Sequence, residues 1–337
     1  MLDVAKKANV ALSTVSYAIN GTRPISEETR QRIFAAMEEL NFRPNVLARG
    51  LASRRSRIIA LLFPGSERGL GMTELEFVTS AADAAREKGY NLVLWPSEIH
   101  DPAELRQFTQ QGLIDGVVVM EIHQNDERIN LLRETGFPFT MIGRCADTTG
   151  IGFVDIDFEK TIQEVIAYLS SLGHTQIGFL NQSHTLFDTG YGPVFRTQAS
   201  FEETIRASGL VGISRFCRAN PQCGYDTFRD MLAERPGLSA IISMNERATP
   251  GVMRVLADKK WSMPQDFSLV VAVSSARLAE MMTPPLTTSD APTAELARLS
   301  VEHLIQQLET GESNQQQVLV PCHLVVRGST GPNLRLI

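Results

Sequence analysis

From Ile58 onward, apolar runs alternate with stretches of helical periodicity. The runs at 58–63 ("IIALLF"), 92–95, 116–120 ("GVVVM"), 139–143, 176–180, 240–244 and 268–273 ("SLVVAV") predict strands. Between them, 73–88, 101–111, 158–172, 196–208, 222–234, 246–259 and 290–309 predict helices. Such alternation predicts parallel sheets covered by helices on both faces. Nearly 280 residues of it are too many for one sheet, so two α/β lobes are expected.

The head of the chain follows another pattern, that of four short helices. Residues 3–8 put Val4, Ala5 and Ala8 on one side. A tight connection at Asn9-Val10 follows, and asparagine tolerates the left-handed backbone such a corner needs. Residues 12–19 place Val15, Ala18 and Ile19 at helical spacing and leave Leu12, Ser13, Ser16 and Tyr17 on other faces. Ser26 is expected to cap a third helix, with Glu27 and Glu28 in its first turn and Ile33, Met37 and Leu40 turned inward. "RPN" at 43–45 breaks the chain, and Asn45 can cap a last run, "VLARGLASRR".

Composition narrows the class. The chain has 337 residues, 43% of them hydrophobic, enough for two or three domains. It offers neither an uncharged apolar stretch long enough to span a bilayer nor a secretory h-region, and its four cysteines form no CxxC pair. A cytoplasmic protein with reduced thiols, not bound to a membrane, is the expectation. Residues 1–58 hold ten Lys/Arg against five Asp/Glu, a net +5, which leaves −11 for the rest of a chain of net charge −6. A basic head on an acidic body suggests a polyanionic partner for the head alone. The six histidines show no HExxH spacing, and no GxSxG or Walker A sequence occurs. "GSERGLG" at 65–71 lacks the phosphate-loop lysine. No enzyme activity, cofactor or metal is therefore expected.

A helix-turn-helix docks the start of its second helix in the DNA major groove. Thr14 and Ser16 carry short hydroxyls suited to phosphates or bases, Leu12 can touch a thymine methyl, and Tyr17 can reach a base or a backbone oxygen. Ser13, Asn20 and Arg23 complete the candidate set.

The pattern D-V-A-x-x-A-x-V-x-x-x-T-V-S-x-x-x-N at 3–20, with "RPN" and "LARGLAS" at their spacing, closely resembles the headpiece of the lactose-repressor (LacI/GalR) family. The body continues the resemblance in "SLGHTQIGFL" at 171–180, "MNE" at 244–246 and "PPLTT" at 284–288. The resemblance implies an all-α helix-turn-helix headpiece at 1–44, a hinge helix at 45–57, and a two-lobed α/β effector domain of the periplasmic-binding-protein (type I) kind at 58–337. The implied function is a ligand-responsive transcriptional regulator, a repressor, that binds a near-palindromic operator in double-stranded DNA as a homodimer. The alternatives are a solute-binding protein without DNA function and a regulator using a non-sugar corepressor.

The headpiece departs from the family pattern at three positions. Asn9, Ala11 and Tyr17 stand where the family usually has Gly, Ser and Arg. Loss of that arginine removes a guanine-reading fork and leaves the operator bases there open. The pattern starts closer to the first residue than is usual, so further N-terminal residues are expected to precede it. In the hinge, Leu51 matches the leucine that such repressors insert between base steps, with Ala48 allowing close approach. Gly50 weakens the helix and suits a segment that folds on DNA. The tail "GPNLRLI" has no leucine-heptad extension, which favours a dimer.

For the effector, the resemblance implies a carbohydrate in the interlobe cleft. Arg196 matches an arginine that reaches ligand oxygens, Asn245 and Glu246 match an Asn-Asp pair, and Asp157 matches an aspartate after the mid-chain strand. Trp95, Tyr225 and Phe63 are candidate stacking surfaces, although Trp95 and Phe63 suit the core equally and Asp157 can simply cap the following helix. Ser274 and Ser275 stand where sugar-responsive relatives carry an acidic pair, which predicts weak binding of a simple hexose.

Overall fold

The computed structural model describes residues 1–20, 23–42, 55–64, 71–97 and 102–334. The chain divides into two units, Met1–Ile58 with Gln111–Asp115, and Ile59–Gln110 with Gly116–Ile337. The short segment before Gly116 thus groups with the first unit, which a boundary drawn along the sequence does not anticipate.

In the first unit, helices α1 (Leu2–Lys7), α2 (Leu12–Asn20) and α3 (Glu27–Glu39) surround a small core of Val4, Ala5, Ala8, Val15, Ala18, Ile33, Ala36 and Met37. Asn9 takes φ 51°, the left-handed corner that separates α1 from α2. Ser26 caps α3 by accepting from the Thr29 amide at 3.3 Å. Leu40, expected inward, is 41% exposed. It is the residue at which α3 ends, so the helical register no longer directs it inward, and Ala36 fills that side instead. The expected fourth helix lies outside the described residues.

The second unit holds two six-stranded sheets. Sheet one runs β11 (Gln317–Val320), β5 (Phe153–Ile156), β4 (Phe139–Ile142), β3 (Gly116–Val119), β1 (Ile58–Pro64), β2 (Asn91–Ser97). Sheet two runs β12 (His323–Val325), β10 (Thr287–Asp290), β9 (Ser268–Ser274), β8 (Ala240–Ser243), β6 (Gln176–Asn181), β7 (Val211–Phe216). The pairings are parallel from β11 to β1 and from β7 to β10, and β12 runs antiparallel to β10. Central strands such as β3 and β8 are buried at every position because helices cover both faces.

All seven expected strands are present, with small shifts at their ends. Five more were not legible: β5, β7, β10, β11 and β12. In β5, "FVDI", an acid interrupts the apolar run, and the edge strands β7 and β11 alternate exposed with partly buried positions. Three helices were also unanticipated: α6 (Glu127–Thr135), α8 (His184–Asp188) and α12 (Ala276–Glu280).

The chain crosses between lobes three times. It leaves β5 for α7 (Phe158–Ser171), leaves β10 for α13 (Thr293–Thr310), and passes from β11 to β12. Helix α13 packs against sheet one and against α4 (Met72–Glu87), although most residues around it in sequence belong to the other lobe. The crossings fix the lobes side by side with their strand ends facing one cleft.

Candidate functional site

Two surfaces answer to the candidate residues, one in each unit. On the first, Leu12 and Ser13 are exposed at the start of α2, and Thr14, Ser16 and Tyr17 are half-buried. Arg23 is exposed, and its guanidinium sits 5.2 Å from the centre of the Tyr17 ring. Burial of Val15 and Ala18 against α1 and α3 is what turns these polar residues outward. Asn20 ends α2, whereas Asn45, Ala48 and Leu51 lie outside the described residues.

On the second, a cavity opens at the carboxyl ends of strands from both sheets, the usual ligand position in open α/β sheets. Met120, Glu121 and Ile122 follow β3, Gly143 and Arg144 follow β4, and Asp155 and Ile156 close β5. From the other lobe come Gln182 after β6, Ala219 after β7, Met244 to Arg247 after β8, and Val273 of β9. Helix α4 adds Thr73, Glu74 and Phe77, while Tyr191, Pro193 and Arg196 come from the start of α9 (Gly192–Ala207). Phe77, Phe158 and Tyr191 supply the aromatic surface.

Glu246 joins the two sides. Its Oε1 accepts from the Ser274 hydroxyl at 2.7 Å, the Thr73 hydroxyl at 3.0 Å and the Ser275 amide at 3.1 Å. Burial pushes this carboxyl above its ordinary range, the three donors pull it back, and neighbouring Glu74 adds to the rise. Asn245 is anchored to backbone: its Nδ2 donates to the Cys217 carbonyl at 2.9 Å and its Oδ1 accepts from the Ala248 amide at 3.3 Å.

Arg196 and Asp155 form the opposite wall. Arg196 Nη2 donates to the Arg144 carbonyl at 2.8 Å. Burial lowers the guanidinium's basicity, and the nearby Asp155 charge opposes that. Arg144 makes a two-pronged contact with Glu159, at 2.7 and 2.8 Å to its two oxygens. Asp155 is 4% exposed, and its Oδ1 accepts from the Ile156 amide at 2.8 Å. Oδ2 makes no hydrogen bond among the described residues and lies 3.8 Å from Arg144 Nε. Burial raises this carboxyl to about 7, against the pull of Arg196 and Arg144.

Of the effector candidates, Arg196, Asn245 and Glu246 therefore meet in the cavity, and Ser274 stands behind Glu246 as its donor. The other four are absent from the described lining. Phe63 is buried in the hydrophobic core. Trp95 stacks on Phe108 with ring centroids 3.6 Å apart, outside the cavity. Tyr225 donates to Asp258 at 2.9 Å on the outer helices, with Arg254 over its ring. Asp157 caps α7, accepting from the Lys160 amide at 2.9 Å. Asp155, Thr73, Phe77, Phe158 and Tyr191 went unnoticed in the sequence. For Asp155 a signal existed, namely an acid inside an apolar tetrapeptide.

Among the described residues, no group of three or more His, Cys, Asp or Glu could hold a metal ion, and no helix is long and apolar enough to cross a membrane.

Comparison with known proteins gives two family matches: residues 1–45 to bacterial regulatory proteins of the lacI family, and 166–330 to the periplasmic binding protein-like domain. The ribose operon repressor of Escherichia coli K12 is 28% identical over 346 residues, covering 98% of this chain and 99% of that protein. A crystal structure of the Lac repressor dimer, bound to operator and the anti-inducer ONPF, superposes with a TM-score of 0.82 at 24% identity, over 98% of both chains. A transcriptional regulator CelR–cellobiose complex superposes with a TM-score of 0.72 at 23% identity, over 97% of this chain and 98% of the other.

Proposed function

We propose, from the premise that this chain belongs to the LacI family of bacterial regulatory proteins, that it is a repressor whose grip on a near-palindromic operator is set by a carbohydrate in the interlobe cavity. The observation that carries this reading is the pairing, in one chain, of a helix-turn-helix with a cavity lined from two lobes. Leu12, Ser13, Thr14, Ser16, Tyr17, Asn20 and Arg23 are assigned to operator contact in the headpiece, 1–44. Asn45, Ala48 and Leu51 are assigned to the minor groove in the hinge, 45–57. A protein acting on DNA in this way works in the bacterial cytoplasm.

Relatives support the ligand class. One is named for ribose, one was solved with cellobiose, and the Lac repressor structure is a dimer on operator. A two-fold dimer requires two half-sites, hence a near-palindromic sequence. A ligand touching Arg196 on one side and Asn245-Glu246 on the other bears on the separation of the lobes, and so on how a dimer presents two headpieces.

The test is selection of bound fragments from random duplex DNA, followed by titration of the selected site with and without ribose or cellobiose. Two chains per site and a sugar-dependent change in affinity are expected, and the sign of that change separates inducer from corepressor. Leu51→Ala should bend the selected DNA less. Tight binding of a single chain to a half-site, or affinity indifferent to every sugar tested, would sink the reading.

A further inference from the structure

We propose that Asp155 selects the effector: its free Oδ2 takes a hydroxyl donor from an uncharged polyol while the adjacent Arg196 gives hydrogen bonds to that ligand's oxygens, and the pair rejects phosphorylated sugars. The assignment rests on the reading of the cavity as the effector site.

Three observations carry it. The first is the orphaned oxygen. Asp155 is almost wholly buried, yet Oδ2 has no hydrogen-bond partner among the described residues. Folded proteins rarely leave a buried acceptor unsatisfied, and such a group at a cavity wall is a place where a ligand supplies the missing donor.

The second is that the neighbouring cations are engaged elsewhere. Arg144 turns its Nη2 to both oxygens of Glu159, and Arg196 Nη2 is held by the Arg144 carbonyl. Neither makes a hydrogen bond to Oδ2, and the closest approach is the 3.8 Å to Arg144 Nε. Arg196 has further N–H groups in a fixed plane. A carboxylate that accepts beside a guanidinium that donates matches two adjacent hydroxyls, one giving its proton and the other offering a lone pair.

The third is charge. The described cavity lining holds four acids, Glu74, Glu121, Asp155 and Glu246, against three arginines, Arg144, Arg196 and Arg247, and Arg144 is already matched by Glu159. Above about pH 7, where Asp155 is ionised, a phosphate near Arg196 would face its buried carboxylate at short range, where like charges are costly. An uncharged ligand meets no such opposition. Nor does the fold call for an acid here: the other three residues of β5, Phe153, Val154 and Ile156, are buried and apolar.

Calorimetry on the full chain at pH 8, where Asp155 is ionised, tests this with four probes: ribose, ribose 5-phosphate, cellobiose and glucose 6-phosphate. The wild type should bind ribose or cellobiose about tenfold or more tightly than either phosphate, and Asp155→Asn should weaken the sugar by about tenfold and erase most of that preference. Asp155→Ser gives the same comparison should the asparagine variant fold poorly, and the wild-type preference needs no variant at all. If Asp155→Asn keeps both the affinity and the preference while Arg196→Ala loses binding, Asp155 is not the selector and the cavity reading stands. If Arg196→Ala and Asp155→Asn both bind as the wild type does, the cavity reading itself fails. A wild type that prefers a phosphate, or binds none of the four, overturns the proposal directly.

Discussion

Ser274 donates its hydroxyl proton to Glu246 Oε1 across 2.7 Å. The serine that stands where an acidic residue is usual is thus a support for the acid that lines the cavity, twenty-eight positions earlier in the chain. Thr73, from the other lobe, donates to the same oxygen, so Glu246 joins the two lobes as well as lining the cavity.

Removing that support gives the first prediction. Ser274→Ala leaves a buried carboxyl with one donor fewer, a cost of about 1–3 kcal/mol. Glu246 has a folded pKa above its ordinary 4.5, so its contribution to stability falls as pH rises above that value. Losing a donor that favours the charged form should steepen the fall. Thermal melts of wild type and Ser274→Ala should therefore diverge more at pH 8 than at pH 5. An equal difference at both would remove Glu246 as the cause.

Asp155 gives a second pH dependence. The native state holds its carboxyl proton up to about pH 7, whereas the ordinary value is 3.8, so the folded form binds more protons between these limits. Stability should fall as pH rises through that window and stay low above it. The groups facing the carboxyl are Arg196, Arg144 and Glu159, together with the Ile156 amide. Asparagine at this position cannot ionise, so Asp155→Asn should flatten the slope and gain up to about 4 kcal/mol at pH 8, at ~1.4 kcal/mol per pKa unit. Urea melts across pH 4–8 measure it, and an unchanged slope in the variant would refute it.

His174, in the "LGHTQIGF" segment, is a buried structural tie. Its Nδ1 lies 2.8 Å from the Ser239 hydroxyl, and its Nε2 lies 3.0 Å from the Ser268 hydroxyl and 3.1 Å from the Gly331 carbonyl. A carbonyl only accepts, so Nε2 carries the proton and Nδ1 receives one from Ser239. Burial lowers the imidazole pKa below 6.5, so stability should be lost as pH falls below that value. His174→Ala should cost about 2–4 kcal/mol by denaturant titration, because it empties a buried site and takes from the Ser239 hydroxyl its bond to Nδ1, while Ser268 keeps its bonds to Gly331. A loss under about 0.5 kcal/mol, of the size of an ordinary surface substitution, would contradict this.

The carboxylate of Asp115 holds the residues that lead into β1. It accepts from the Ser56 amide at 2.7 Å, the Ser56 hydroxyl at 2.9 Å and the Arg57 amide at 2.8 Å, and Arg57 adopts a left-handed φ of 54°. Without these bonds, nothing in the local geometry favours that backbone for an arginine. Asp115→Ala should speed limited trypsin cleavage after Arg55 and Arg57 several-fold, read by mass spectrometry of the fragments. Cleavage at the wild-type rate would show that the segment is held by other means.

What the sequence alone determined is local and periodic. A helix-turn-helix is written in the spacing of Val4, Ala8, Val15 and Ala18, because one face of each short helix must be apolar to bury the other helices' faces. The α/β body is written in apolar runs, because a parallel strand covered on both sides has no polar face to show. Tertiary structure decided the cavity. Asp155 and Asp157 stand two residues apart, yet the first lines the cavity while the second lies just past the strand and is captured by the Lys160 amide of α7. Trp95 is taken by Phe108, and Phe77, Phe158 and Tyr191 supply the aromatic wall. Those choices depend on strand ends brought together from two sheets by three crossings. Local periodicity specifies how each strand and helix buries its own face, but which side chains then meet across a cleft depends on packing between segments more than a hundred residues apart.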